Sequence, residues 1–169
     1  MIRDAVPEDL EDLVRLVHEL ARYERADEPV EVTVDGLRHL LFGPEPKVFA
    51  LVAESDEAVV GMAIYFLSFS TWTGRHGLYL EDLFVEPTHR SRGIGRSLIT
   101  ALGTRAAELG CARLEWGVLN WNEPAISFYR SLGALPMDEW TTYRLSGQAL
   151  ADLAGPAQHR ATSPFPSSL

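Results

Sequence analysis

The 169-residue chain holds one cysteine, Cys111, which excludes a disulfide framework and any paired-cysteine zinc or redox site. Its longest apolar run, Val59 to Leu67, falls far short of the roughly 20 residues a membrane helix needs. No charged start followed by an apolar stretch opens the sequence, so no secretory leader is expected, and a reducing cytoplasm is the expected address. Basic residues are scarce: 15 Lys plus Arg stand against 24 Asp plus Glu, a formal net charge of −9. A phosphate-backbone binder carries the opposite sign, which argues against nucleic acid as a partner. An acidic field concentrates cationic small molecules, although it also serves plain solubility. The five histidines, His18, His39, His76, His89 and His159, lack any metal-ligand spacing such as HExxH, so no metal site is expected.

What is present suffices for one mixed α/β domain, since a chain of this size buries roughly 70% of its unfolded surface. Ile2 to Asp4 reads as a short strand. Pro7 suits a first helical turn, and Leu10, Leu13, Val14, Val17, Leu20 and Ala21 recur at three and four residues, the apolar face of a helix running to Tyr23. A second short helix is expected over Asp35 to Leu41, with Thr33 as its cap and Gly43-Pro44 as its end. Val48 to Glu54, Val59 to Phe69 and Gly77 to Val85 read as three neighbouring strands. Gly93 to Leu109 turns helical and is closed by Gly110. Arg113 to Val118 is a strand, and Pro124 to Leu132 a helix capped by Asn122 and stopped by Gly133. Two more strands are expected at Ala134 to Met137 and Trp140 to Leu145, then a short helix from Ser146 to Leu153. The order βααβββαβαββ predicts a mostly antiparallel sheet flanked by helices in one domain over residues 1–154. The Pro- and Ser-rich stretch 155–169 is expected to be a disordered tail.

Chemistry concentrates where the third long strand, Leu78 to Val85, runs into Arg90-Ser91-Arg92-Gly93-Ile94-Gly95 and a helix. Glycines let a backbone approach an anion, the unpaired N–H groups of a helix start face it, and Arg90, Arg92 and Arg96 add charge. Neither GxGxxG nor the Walker loop fits the spacing, and an ordinary glycine-rich turn would look the same. Glu81, alone in an apolar strand, could be a base or simply an exposed carboxylate. Strand alternation would place it opposite Leu80 and Asp82. Tyr129 could be an acid or a core tyrosine with a bonded hydroxyl.

The segment Arg90 to Gly95 resembles the Arg/Gln-x-x-Gly-x-Gly/Ala signature of the GNAT superfamily of N-acetyltransferases. Trp121-Asn122-Glu123-Pro124 through Tyr129, with Gly133-Ala134, resembles that superfamily's second cofactor-side motif. Glu19 to Glu24, Leu78 to Val85 and Trp121 to Tyr129 together resemble the diamine (spermidine/spermine) acetyltransferase family, including its thialysine-acetylating branch, over residues 2 to 145. The resemblance implies acetyl-CoA as cosubstrate, with its pyrophosphate at Arg90, Ser91, Arg92, Gly93, Ile94, Gly95 and Arg96. The acetyl-pantetheine arm would run along the amides of Leu83, Phe84 and Val85 and near Asn122. It implies Glu81 as the base, Tyr129 as the acid for the departing thiolate, and Tyr23, Glu24, Glu81 and Asp82 around a small cationic amine. A homodimer is implied as well. An acidic substrate contact of the polyamine enzymes falls here at Thr141, beside Asp138 and Glu139. That departure leaves shorter diamines and lysine-like amino acids in play beside polyamines. Other readings are a non-catalytic acetyl-CoA sensor and a peptide N-terminal acetyltransferase.

Overall fold

The computed structural model describes residues 1–154. The tail expected over 155–169 lies outside the described residues. The chain divides into a larger unit, Met1–Ile126, and a smaller one from Ser127 onward.

In the larger unit, β1 (Ile2–Asp4) leads through a 3₁₀ turn at Pro7–Asp9 into α1 (Leu10–Glu24) and α2 (Val34–Phe42). Three long strands follow, β2 (Phe49–Ser55), β3 (Ala58–Ser70) and β4 (Arg75–Val85), then α3 (Ile94–Glu108), β5 (Leu114–Trp116) and the start of α4 (Glu123–Ser131). The five strands form one sheet in chain order, antiparallel except for the parallel pair β4–β5. The expected mixed, mostly antiparallel sheet with flanking helices is thus the observed one.

Local chemistry accounts for the helix ends. The Thr33 hydroxyl accepts from the Gly36 amide at 3.1 Å, the expected N-cap of α2. Arg3 grips the buried Asp9 carboxylate through two nitrogens at 2.7 and 2.9 Å, and Asp9 Oδ2 accepts from the Val6 amide. Those contacts hold the Asp9 carboxyl below the usual carboxylate range and fix the entry to α1. Leu10, Leu13, Leu16 and Leu20 of α1, with Leu37 and Leu41 of α2, bury against Val52, Met62, Ile64 and Phe84 on one face of the sheet. Helix α3, whose Leu98, Leu102 and Ala106 are buried, covers the opposite face, where Arg105 reaches the Tyr65 hydroxyl at 3.2 Å. Burying a leucine contributes roughly 1.5–3 kcal/mol, so these two layers supply most of the unit's stability.

The smaller unit holds the end of α4 and α5 (Gly147–Ala154). The two strands expected at Ala134 to Met137 and Trp140 to Leu145 are absent. Residues 134–146 are almost wholly exposed and find no ladder partner among the described residues. A lone extended segment is not stable in water without a neighbouring strand, and Pro136 removes a donor from the first of them.

Candidate active site

Strand β4 carries the centre of the site because its pairing is broken on both sides. Toward β3, Leu80 pairs with Tyr65 and Asp82 with the adjacent Ile64, so Glu81 is an extra residue bulged out of the ladder. The bulge corrects the expected alternation. Leu80 and Asp82, two apart in sequence, sit with consecutive β3 residues and therefore point to opposite faces. Leu80 is buried, Asp82 joins the face of Ile64 and Phe84, beneath α1, and Glu81 is exposed. Toward β5, pairing runs only from Leu78↔Leu114 to Leu80↔Trp116. Strand β5 ends there, so among the described residues the main chain of Glu81 to Val85 has no strand partner on that side.

The end of α1 meets this break. Burial first, and then the neighbouring charges of Glu81 and Glu24, push the Asp82 carboxyl up to about 6. Burial also raises Glu24. The charges of Glu24 and Glu81 thus both act on the half-buried Asp82 carboxyl, which makes this corner of the molecule acidic. A nearby positive charge would favour the ionised form of Asp82. Tyr23 completes this corner: its hydroxyl donates to Asn122 Oδ1 at 3.1 Å, and its ring lies 6.0 Å from that of Trp121. Asn122 is 6% exposed, and the same oxygen accepts from the Ala125 amide at 3.3 Å. It is the expected cap of α4 and also a tie between α1 and the loop after β5.

The turn after β4 has the backbone of an anion cradle. Ser91 (φ 62°) and Gly93 (φ 81°) are left-handed, and no side chain caps the start of α3. A left-handed residue followed by helical Ile94 aims successive N–H groups to one side, with the α3 dipole behind them. A Cβ built on Gly93 would meet nothing within 4 Å, so the turn is not crowded at that position. Arg92 and Arg96 are exposed beside it. Arg90 is turned elsewhere: its Nε donates to the Val85 carbonyl at 2.9 Å, and its guanidinium lies 4.7 Å from the Tyr23 ring centroid and 5.4 Å from that of Phe84. The Phe84 side chain is buried in the core.

The structure thus brings together Tyr23, Glu24, Glu81, Asp82, Arg90 and Asn122 in the larger unit. Tyr129 lies on the last turns of α4, in the smaller unit, with its ring 5.3 Å from that of Phe128. Two features had no cue in composition or spacing: the bulge at Glu81, and Arg25 stacked 5.3 Å from the Trp121 centroid. Among the described residues, no group of three His, Cys, Asp or Glu could hold a metal, and no helix is long and apolar enough to cross a membrane.

The raised Asp82 carboxyl makes a stability prediction. Its folded value lies above the unfolded one, so between about pH 4 and 6 the native state binds more protons, and stability falls as pH rises through that window. After allowance for solvent screening, the loss is about 2 kcal/mol at pH 8. Asp82→Asn is expected to raise Tm at pH 8 by several degrees and to lose that advantage below pH 4. Thermal melts of both proteins across pH check this.

Residues 10–134 match the acetyltransferase (GNAT) family. The chain is 39% identical to the thialysine N-epsilon-acetyltransferase of Bos taurus, over 92% of this chain and 97% of that one. It is 29% identical to the L-ornithine N5-acetyltransferase of Arabidopsis thaliana, over 88% and 85%. Among solved structures, an integron cassette protein from the mobile metagenome of V. cholerae superposes with a TM-score of 0.77 at 31% identity, over 92% of this chain and 98% of that one.

Proposed function

The chain belongs to the acetyltransferase (GNAT) family, and from that premise we propose that it moves the acetyl group of acetyl-CoA to a primary amine of a small, multiply charged substrate. The observation that carries the substrate class is the acidic group of Glu24, Glu81 and Asp82, with Asp82 pushed up to about 6. One carboxylate meets the reacting amine, and the others hold a second ammonium a few carbons away. Diamines, polyamines and amino acids with a side-chain amine all fit this charge pattern. The thialysine and ornithine acetyltransferases among the relatives favour the amino acids.

The residues present suit acetyl-CoA. The amides of Gly93 to Arg96 and the flanking Arg92 and Arg96 would take its pyrophosphate. The main-chain groups of Leu83 to Val85 that face away from β3 would hydrogen-bond the pantetheine arm and the thioester carbonyl. Acetyl-CoA, when bound, supplies the activated acetyl group. Glu81, exposed at the bulge, takes the proton that a primary amine near pKa 10 must lose before it attacks. Tyr129 gives a proton to the departing thiolate. Transfer is direct. Cys111, the one cysteine, precedes Ala112, whose amide bonds the His76 carbonyl at 2.7 Å. That contact is five strand residues, about 16 Å, from Glu81, so no thiol stands ready to carry the acetyl group.

The test is product mass from acetyl-CoA with thialysine, ornithine, putrescine, spermidine and a peptide amine, supplied singly. Mono-acetylation of the short dicationic amines, with the peptide left untouched, is the expected result. Acetylation of the peptide alone would reject the substrate class. Tyr129→Phe is expected to lower kcat by roughly tenfold with little change in amine KM. An unchanged kcat would remove Tyr129 from the acid role.

A further inference from the structure

We infer that Arg25 reads the α-carboxylate of an amino-acid substrate whose side-chain amine is presented to Glu81 and Asp82; this rests on the amine-acetyltransferase reading above. Arg25 closes α1 in the left-handed region, at φ 55° and ψ 43°, with its amide bonded to the carbonyls of Ala21 and Arg22. Glycine is the usual occupant of that position, and a residue with a Cβ there costs roughly 1–2 kcal/mol. Backbone strain of this kind persists where the side chain has a task.

The side chain is placed for one. Its guanidinium lies 5.3 Å from the Trp121 centroid, and the Trp121 ring lies 6.0 Å from that of Tyr23, the chain neighbour of Glu24. Arg25 is exposed, and it takes part in none of the ion pairs among the described residues. His18, Arg22, Arg25, Glu28 and Val30 line an open cleft of about 470 Å³ along the end of α1. Arg22 engages the His18 carbonyl through its Nε at 3.2 Å. One step along the chain the sign reverses: Glu24 adds to the negative field at Asp82, whereas Arg25 and Arg22 line the cleft, with Glu28 as its one carboxylate.

A substrate that bridges the two needs ammonium at one end and carboxylate at the other. That describes an ω-amino amino acid better than a plain diamine, whose second ammonium gains nothing from Arg25. A guanidinium offers a carboxylate two parallel N–H donors, and stacking on an indole fixes its plane before the ligand arrives.

The test compares thialysine with bis(2-aminoethyl) sulfide, the same molecule without its carboxylate, in wild type, Arg25→Gln and Arg25→Lys. In wild type, kcat/KM is expected to favour thialysine. Arg25→Gln is expected to lower the thialysine-to-diamine ratio of kcat/KM roughly 10- to 100-fold, mostly through thialysine KM, with acetyl-CoA affinity unmoved. Arg25→Lys should recover part of that ratio, since a lysine keeps the charge and loses the fork. The ratio is internal to each variant, so partial misfolding cancels. A ratio unmoved in Arg25→Gln overturns the inference. So does a fall in acetyl-CoA affinity, which would assign the cleft to a CoA phosphate. Wild-type turnover of the diamine without thialysine overturns the inference and leaves the transfer reading standing. Turnover of neither amine overturns the transfer reading and this inference with it.

Discussion

Glu81→Gln is expected to lower kcat/KM for the amine at pH 7 by roughly 100- to 1000-fold, within the range a positioned general base contributes. The expectation follows from where the bulge puts this carboxylate. A regular strand would have paired residue 81 with β3, whereas the register steps from Leu80 to Asp82 over a single β3 residue and leaves Glu81 outside the ladder. The substitution keeps the shape and removes the proton acceptor. At neutral pH nearly all primary amine is protonated, so the loss of the acceptor is felt in full. Above pH 9 free amine becomes abundant and the deficit is expected to shrink. A pH–rate profile of wild type and variant measures this, and an equal deficit at every pH would remove the base assignment.

Gly93→Val is expected to weaken acetyl-CoA binding by roughly 10- to 100-fold, the size of one or two charge-assisted hydrogen bonds. Two effects add. Gly93 sits at φ 81°, where a β-branched residue is strained, so the turn relaxes and the amides at the start of α3 lose their common aim. The new side chain also adds bulk at the turn where glycine leaves space. The core does not touch that space, so Tm should fall by only a few degrees. Titration calorimetry with acetyl-CoA measures the loss, and an unchanged Kd would show that the anion binds elsewhere.

Most of this site was legible in the sequence because its devices are local. A glycine that opens a helix, an Asn at an N-cap and a Thr three residues before Gly36 act within one turn of chain, so residue type and spacing predict them. The Gly93, Asn122 and Thr33 ends are of that kind. The β4 bulge is not. It depends on which β3 residue lies opposite, a long-range register that no short pattern encodes, and it reversed the face of Asp82. Arg90 shows a second limit. Beside a glycine-rich turn an arginine reads as a phosphate ligand, yet here its side chain lies over Phe84, close by in the chain, and over Tyr23, which is far away in sequence. The missing strands at 134–137 and 140–145 show a third. Alternating apolar residues propose a strand, but only a partner makes one, and residues 134–146 find none among the described residues.

The central claim is amine-dependent acetyl transfer, and its most direct measurement is CoA-thiol release from saturating acetyl-CoA as thialysine is titrated in. Negligible release is expected without amine, saturable release with it, one acetylated amine per thiol and no acetylated protein when amine is withheld. Tight acetyl-CoA binding with no amine-dependent release, for thialysine, ornithine, putrescine and spermidine alike, would contradict it and identify the chain as a binding module.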